Sequence, residues 1–196
     1  PLLSELQAVP DPTACAADAT KCDQAYQPHY QLITEEDQVQ IYQELVKSPE
    51  GKFTTSFLNL AQPVKDNRLL PLGWTPDGPP GFAADEPDWK EHYLDAVTPK
   101  GNVLEDKEFL DGSGADTIRY QVDLPADLID GGSVVATLYY QSIPPSYLLD
   151  RFTAADGAAT QRLHYLASHL KVEGTAVENW KLPIGAASAA IGDVTE

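Results

Sequence analysis

Histidines are the residues of this chain best suited to acid–base catalysis or metal binding, because imidazole titrates near neutral pH and is a common metal ligand. The chain has four of them, His29, His92, His164 and His169. On one helix His164 and His169 would point to different faces, since a metal-binding pair needs a spacing of one helical turn. We retain His29 as a candidate ligand for a metal or a haem supplied from elsewhere. A packed or surface role is the alternative for each histidine.

A loop rich in oxygen atoms is the second candidate site. Asp111, Ser113 and Asp116 offer two carboxylates and a hydroxyl within Asp-Gly-Ser-Gly-Ala-Asp, and calcium takes several oxygen ligands from such loops. The loop is not an EF-hand, because Val122 stands where that motif has its last glutamate. The pattern predicts either a calcium site on these three residues or a plain loop between strands.

Two basic residues form the third candidate. Lys65 and Arg68 follow a predicted strand in the segment Val-Lys-Asp-Asn-Arg-Leu-Leu-Pro. On so acidic a chain they would make a basic spot that contacts an anion or a partner. In the alternative interpretation Arg68 pairs with Asp66 and Asn67 takes a turn.

The two cysteines bear on the compartment rather than on catalysis. Cys15 and Cys22 lie in a stretch with few apolar residues, where a pair closing a short loop favours a disulfide. Two thiols or a two-cysteine metal site are the alternatives. A disulfide implies an oxidising compartment, so we expect a periplasmic or extracellular protein. No Cys-x-x-Cys-His is present, so this chain attaches no haem covalently.

Composition and missing motifs narrow the function further. The 196 residues include 30 acidic and 13 basic side chains, a formal charge of −17, which repels nucleic acid. No apolar run is long enough to span a bilayer. Gly-x-Ser-x-Gly, the Walker loop and Gly-x-Gly-x-x-Gly are all missing, so we expect no complete catalytic constellation. A chain that starts at Pro1 and lacks methionine suggests a processed protein or a fragment.

The elements that would position these residues are mainly strands. Residues 117–124 alternate strictly between apolar and polar, and residues 134–141 are more apolar, so we expect the two to pair as antiparallel neighbours. Residues 38–58 predict a hairpin through the turn at 48–51, with a helix at 35–46 as the alternative. Residues 71–90 indicate a long proline-rich loop. Residues 146–152 and 160–170 favour short helices.

This order of elements predicts an antiparallel β-sandwich of immunoglobulin or fibronectin type, with one or two short helices in the C-terminal third. The expected domain organisation has three parts. An extended N-terminal arm covers 1–33 and carries the disulfide, the sandwich covers 34–183, and a flexible tail covers 184–196.

Three strings in the chain carry a resemblance to a known group of proteins. They are Asp37-Gln-Val-Gln-Ile-Tyr-Gln-Glu-Leu45, Val64-Lys-Asp-Asn-Arg-Leu-Leu-Pro71 with Gly73-Trp74, and Leu138-Tyr-Tyr-Gln-Ser-Ile-Pro-Pro145. Together they resemble the haem-free C-terminal region of bacterial exported multihaem c-type cytochrome-like proteins. The resemblance implies an accessory role beside a haem-bearing domain or another redox protein, with haem only in the parent or partner. It carries over no catalytic residue.

The sequence therefore predicts a non-catalytic accessory domain of an exported redox protein, with electron transfer performed elsewhere. A stand-alone module that binds calcium or a glycan is the alternative, because the surface is acidic and the loop at 71–90 contains aromatic residues. An enzyme whose histidines and carboxylates come together only in the fold is the third hypothesis.

Overall fold

The computed structural model describes residues 26–79, 87–125 and 132–191. They belong to two compact units, an N-terminal unit that reaches Gln121 and a C-terminal unit that starts at Val122. Most of the expected N-terminal arm, including Cys15 and Cys22, lies outside the described residues, so the disulfide stays a prediction.

The described part of the N-terminal unit contains short strands and one α-helix. Its elements are β1 (Leu32–Ile33), β2 (Glu44–Lys47), β3 (Gln62–Asp66), α1 (Pro87–Val97), a 3-10 helix (Asn102–Glu105) and β4 (Arg119–Tyr120). Strands β2 and β3 are antiparallel, whereas β1 and β4 are parallel. The parallel pair brings two stretches that are far apart in sequence side by side.

A hairpin links β2 to β3 through the turn predicted at 48–51, but its second strand is residues 62–66 and not the predicted 53–58. Its first turn closes with the Gly51 amide donating to the Ser48 carbonyl at 2.9 Å, and Gly51 has the positive φ of 77° that favours glycine there. The second strand, β3, lies beyond the expected range, and Phe53 forms only an isolated bridge with Lys47. The alternative of a helix at 35–46 is wrong, because these residues form turns, extended chain and the start of β2.

The C-terminal unit, over its described residues, contains one long hairpin and two α-helices. Its elements are β5 (Ser133–Tyr140), α2 (Pro145–Ala154), α3 (Ala158–His169), a 3-10 helix (Glu178–Trp180) and β6 (Leu182–Ala190). Both short helices lie where the sequence predicts them. Strands β5 and β6 pair antiparallel, with a register shift between Leu138 and Tyr139. Tyr139 lies opposite Pro183, which has no amide hydrogen to donate, and this accounts for the irregularity.

The β-sandwich prediction is wrong. The described residues form three separate sheets of two strands each. Of the alternating stretch 117–124 only Arg119–Tyr120 is paired, and its partner is β1 rather than β5. The partner of β5 is β6, which occupies much of the expected flexible tail. The alternation of apolar and polar residues predicts which way side chains point, but it does not predict which strand lies alongside. Strand β6 was missed because it is rich in alanine, which has a weak intrinsic preference for strands.

Among residues 26–79 and 87–121, the buried core of the N-terminal unit mixes apolar with polar side chains. Ile33, Val103 and Phe109 are its buried apolar residues. Lys65 and Asn67 are as thoroughly buried, with 1% and 0% of their surface exposed. Since buried polar groups must be hydrogen-bonded to be tolerated, the partners of these side chains define the most constrained part of the molecule.

Candidate functional site

A buried histidine with two aspartates forms the centre of the N-terminal unit. The Nε2 atom of His29 lies 3.1 Å from Oδ2 of Asp106 and 3.9 Å from Oδ2 of Asp116. The three side chains are 1%, 3% and 1% exposed. Within the described ranges they are the one group of three metal-ligand side chains whose ligand atoms lie within 4.8 Å of one another. We call these three residues the His29 centre.

Three chain segments are held together to build this centre. Asn102, at the start of the 3-10 helix, holds the His29 backbone from both sides. Its Oδ1 accepts from the His29 amide at 3.1 Å, and its Nδ2 donates to the His29 carbonyl at 2.6 Å. The pairing of β1 with β4 brings the segment that carries Asp116 beside the one that carries His29.

Asp106 is oriented by the backbone that follows it. Its Oδ1 accepts hydrogen bonds from the amides of Glu108 at 2.9 Å and Phe109 at 3.2 Å. Only Oδ2 is left to face His29, whose ring also meets the Phe109 ring edge-on with centroids 5.2 Å apart. The carboxylate is therefore aimed before anything else binds to it.

The other ring nitrogen of His29 faces two amide donors. Its Nδ1 lies 2.9 Å from Nε2 of Gln40 and 3.2 Å from Nδ2 of Asn67. Both amides are held in this orientation, because the Tyr30 amide donates to Gln40 Oε1 at 2.8 Å and the Gln43 amide donates to Asn67 Oδ1 at 3.0 Å. Nδ1 must therefore accept, and the ring proton sits on Nε2, pointing at the carboxylates.

Tyr42 supports the second carboxylate. Its hydroxyl donates to Oδ2 of Asp116 at 2.6 Å. Burial, and then the hydrogen bond to Asp116, raise the pKa of Tyr42 well above its usual value. The phenol consequently stays protonated and acts as a fixed donor.

Lys65 does not lie on the surface, where a basic spot would require it. Its Nζ donates to the carbonyls of Gln27 and Ile41 at 2.8 Å each, and to that of Pro28 at 3.5 Å. Burial lowers the pKa of Lys65 to about 7. This side chain ties residues 27–28 to the segment that leads into β2, and so holds His29 in place.

Arg68 behaves as the structural interpretation predicts. Its Nε donates to Oδ1 of Asp66 at 2.8 Å, and its Nη1 lies 3.6 Å from Glu44. Glu44 and Asp66 face each other across β2 and β3, where two like charges would be destabilising. The half-exposed guanidinium thus offsets a cross-strand repulsion.

The fold places the predicted calcium-binding residues in different surroundings. Asp111 is exposed, and its carboxylate accepts the Ser113 amide at 2.7 Å, as in an ordinary turn. Asp116 instead belongs to the His29 centre. Gly114 has a φ of 71°, and a Cβ there would lie 2.8 Å from the Leu72 amide nitrogen. Close backbone packing therefore accounts for that glycine, and calcium on this loop remains a prediction.

The remaining histidines have other surroundings. His164 lies on α3 against Phe152, with ring centroids 4.6 Å apart. His169 stacks on Tyr165 at 4.0 Å, and His92 lies on α1. Of the four histidines only His29 enters the group with the aspartates, so a catalytic site built from several histidines finds no support among the described residues.

Sequence reasoning identified His29 and Asp116 separately but not their association. It missed Asp106 and the amide side chains of Gln40, Asn67 and Asn102. His29 and Asp106 are 77 residues apart, so no local spacing connects them. A buried amide leaves no periodic signal, and only the fold shows that these side chains converge.

A second feature lies in the C-terminal unit. Every position of β5 and β6 is exposed. The hairpin surface, as we call it, comprises Val134, Val135, Leu138, Tyr139, Tyr140, Leu182 and Ile184, each between 40% and 64% exposed. Successive strand residues point to opposite faces, so both faces of this hairpin are apolar.

Comparison of the chain with family models, with curated proteins and with solved structures found no match. None of the described helices has the length and apolar character needed to cross a membrane.

Proposed function

We propose that this chain is a non-catalytic interaction module of an exported redox protein, and that its C-terminal unit packs on a haem-bearing domain or another redox protein. The observation that carries the proposal is the hairpin surface. Large contiguous apolar patches on a folded unit mark interaction sites. The sequence resemblance to multihaem cytochrome-like proteins supports a haem-bearing domain or another redox protein as the partner.

The energetics of the hairpin favour a covered state. A lone two-stranded hairpin is marginally stable in water, and β5 and β6 bury none of their positions. Burial contributes about 25 cal/mol per Å² of apolar surface. Residues such as Val135, Leu138 and Tyr140 would therefore stabilise the unit substantially once a partner removed them from water.

The His29 centre supports a non-catalytic role. A general base needs a ring nitrogen that can accept a proton from a substrate. Nδ1 of His29 already accepts from Gln40 and Asn67, and Nε2 carries the ring proton toward Asp106. The side chain is also almost fully buried.

The visible spectrum of the natural gene product, purified with its native partners, tests the context. We expect the Soret and α bands of a c-type haem, carried by the same polypeptide outside this chain or by a protein that co-purifies with it. A preparation without any haem band would contradict the proposal.

Variants test the surface itself. Where the haem belongs to a separate protein, Leu138→Asp, which places a charge in the middle of β5, should reduce the haem that co-purifies with a tagged chain at least tenfold. Leu58→Asp is the matched control, because Leu58 is 95% exposed in the N-terminal unit. Equal yield of a separate haem protein from the two variants would show that the hairpin surface is not the contact. Where the haem is on the same polypeptide, Leu138→Asp should instead lower the melting temperature of the whole protein more than Leu58→Asp does.

A further inference from the structure

We propose that the His29 centre binds one divalent transition-metal ion of the zinc type, through Nε2 of His29 and one carboxylate oxygen each of Asp106 and Asp116. This inference is independent of the partner proposed above. Imidazole nitrogen and carboxylate oxygen are the ligands that such ions take, whereas calcium prefers a shell of oxygen atoms alone.

The spacing of the three ligand atoms suits such an ion. Zinc bonds of about 2.0–2.2 Å place neighbouring tetrahedral ligand atoms roughly 3.3 Å apart. The separation of His29 Nε2 from Asp106 Oδ2 is 3.1 Å, and that from Asp116 Oδ2 is 3.9 Å. Asp116 Oδ2 therefore lies about half an ångström too far from the His29 nitrogen for this geometry, and the two carboxylate oxygens lie within 4.8 Å of each other.

The charge of the centre requires a positive partner. The hydrogen bonds described for the two carboxylates come from uncharged donors: two backbone amides and the His29 ring on Asp106, and Tyr42 with the Thr117 amide on Asp116. Arg119 is half exposed, pairs with Glu108 at 2.9 Å and also attracts Asp106 electrostatically. This one exposed cation compensates the two buried carboxylates only in part, and a divalent ion would match both.

The surroundings of both carboxylates resemble a prepared second shell. Metal-bound carboxylates are usually held by further hydrogen bonds. Asp106 is fixed through its Oδ1, which leaves Oδ2 directed inward. On Asp116 the Thr117 amide donates to Oδ1 at 2.8 Å, and the Tyr42 hydroxyl donates to Oδ2, the atom that would also bind the ion.

Binding at Nε2 requires a tautomer change in His29. The ring proton must move from Nε2 to Nδ1, with no net change in protonation. A metal-bound histidine then donates its other N–H to an acceptor. Gln40 can supply that acceptor by turning its amide oxygen to Nδ1, at the expense of its hydrogen bonds with the Tyr30 amide and with the Tyr42 hydroxyl. Asn67 cannot turn without losing the bonds to both Gln43 and Ile41.

Metal retention tests the proposal directly. The purified chain is loaded with zinc chloride, freed of excess ion by gel filtration and analysed by mass spectrometry for metals. We expect about one zinc per chain, and a melting temperature that rises with zinc and falls with a chelator. Asp116→Asn should weaken zinc at least tenfold. Asp111→Asn, on the same loop but exposed, should leave it unchanged.

Gln40→Glu separates ligation by His29 from a merely structural role. A carboxylate at this position accepts both the Tyr30 amide and the Nδ1 proton without turning, so zinc affinity should rise about tenfold or more. The nitrogen-15 spectrum of His29 should show its proton on Nε2 before zinc is added and on Nδ1 afterwards.

Three results would overturn the proposal. The first is a chain that neither retains zinc nor changes its melting temperature with zinc. The second is zinc binding that Asp116→Asn and Gln40→Glu leave unaltered. The third is stabilisation by calcium with no response to zinc, because His29 would not then be a ligand.

Discussion

Asn67 shows how one buried amide can organise several segments. It accepts the Gln43 amide and donates to the Ile41 carbonyl and to His29, with none of its surface exposed. Asn67→Ala removes the partner of the Gln43 amide, which costs about 1–3 kcal/mol, and leaves the Ile41 carbonyl with Lys65 alone. We therefore expect a loss of about 1–3 kcal/mol in the free energy of unfolding, measured by urea titration. Asn59→Ala, at an exposed loop position, should change it by less than about 0.5 kcal/mol.

Lys65 predicts a pH dependence of stability. Burial lowers its pKa to about 7 in the folded chain from 10.5. Between these values the unfolded chain binds the additional proton, so the free energy of unfolding increases as pH rises. We expect a contribution of up to about 1.4 kcal/mol per pH unit between roughly pH 7 and 10. Tyr42, whose pKa is raised, contributes the opposite slope above its ordinary value.

Denaturant titrations at several pH values check this expectation. Lys65→Met should lower stability overall and remove the positive slope. Lys52→Met, at an exposed position, should retain it. An unchanged slope in Lys65→Met would mean that the three carbonyl acceptors keep the ammonium charged throughout.

Residue types were visible in the sequence, whereas their association was not. His29 stood out because imidazole is rare and reactive, and the pairing of Arg68 with Asp66 followed from their spacing of two. Asp106 had no distinguishing neighbour, and the burial of Lys65 reversed the expected exposure of a cation. A buried lysine must be paired or hydrogen-bonded, here to backbone carbonyls, and no local sequence pattern encodes the convergence of those carbonyls.

At the scale of elements, sequence patterns correctly predicted the helices of the C-terminal unit, because helix formation depends on neighbouring residues. Helical periodicity located α3, and Pro144-Pro145 located the start of α2. Strand pairing failed, because β1 and β4 are parallel partners from distant parts of the chain. β6 is built from alanine, glycine and serine, whose pairing with β5 depends on tertiary context rather than propensity.

The loop before β4 offers a prediction about an element junction. Gly114→Ala forces a Cβ to within 2.8 Å of the Leu72 amide nitrogen at a φ of 71°. We expect a destabilisation of about 1–3 kcal/mol, measured by thermal unfolding. Gly185→Ala, whose Cβ meets nothing within 4 Å, is the matched control and should be nearly neutral. If Gly114→Ala loses zinc binding and Gly185→Ala keeps it, we would infer that this loop positions Asp116.

The whole molecule is dominated by its negative charge. With a formal charge of −17, the folded chain brings many carboxylates closer together than the unfolded chain does. Salt screens this self-repulsion, because the Debye length falls from about 30 Å at 0.01 M to about 3 Å at 1 M. We therefore expect the melting temperature to rise by about 2–4 °C between low and high sodium chloride, corresponding to about 1 kcal/mol.

Neutralising an exposed acidic run isolates the origin of that effect. Glu35, Glu36 and Asp37 are consecutive, exposed carboxylates. Replacing them with Gln, Gln and Asn removes three charges without disturbing the core. If general repulsion limits stability, the triple variant should melt higher at low salt and respond less to added salt. If instead sodium ions occupy the His29 centre, the variant should keep the full salt response, and Asp116→Asn should lose it. The two outcomes separate a property of the whole surface from a property of one buried site.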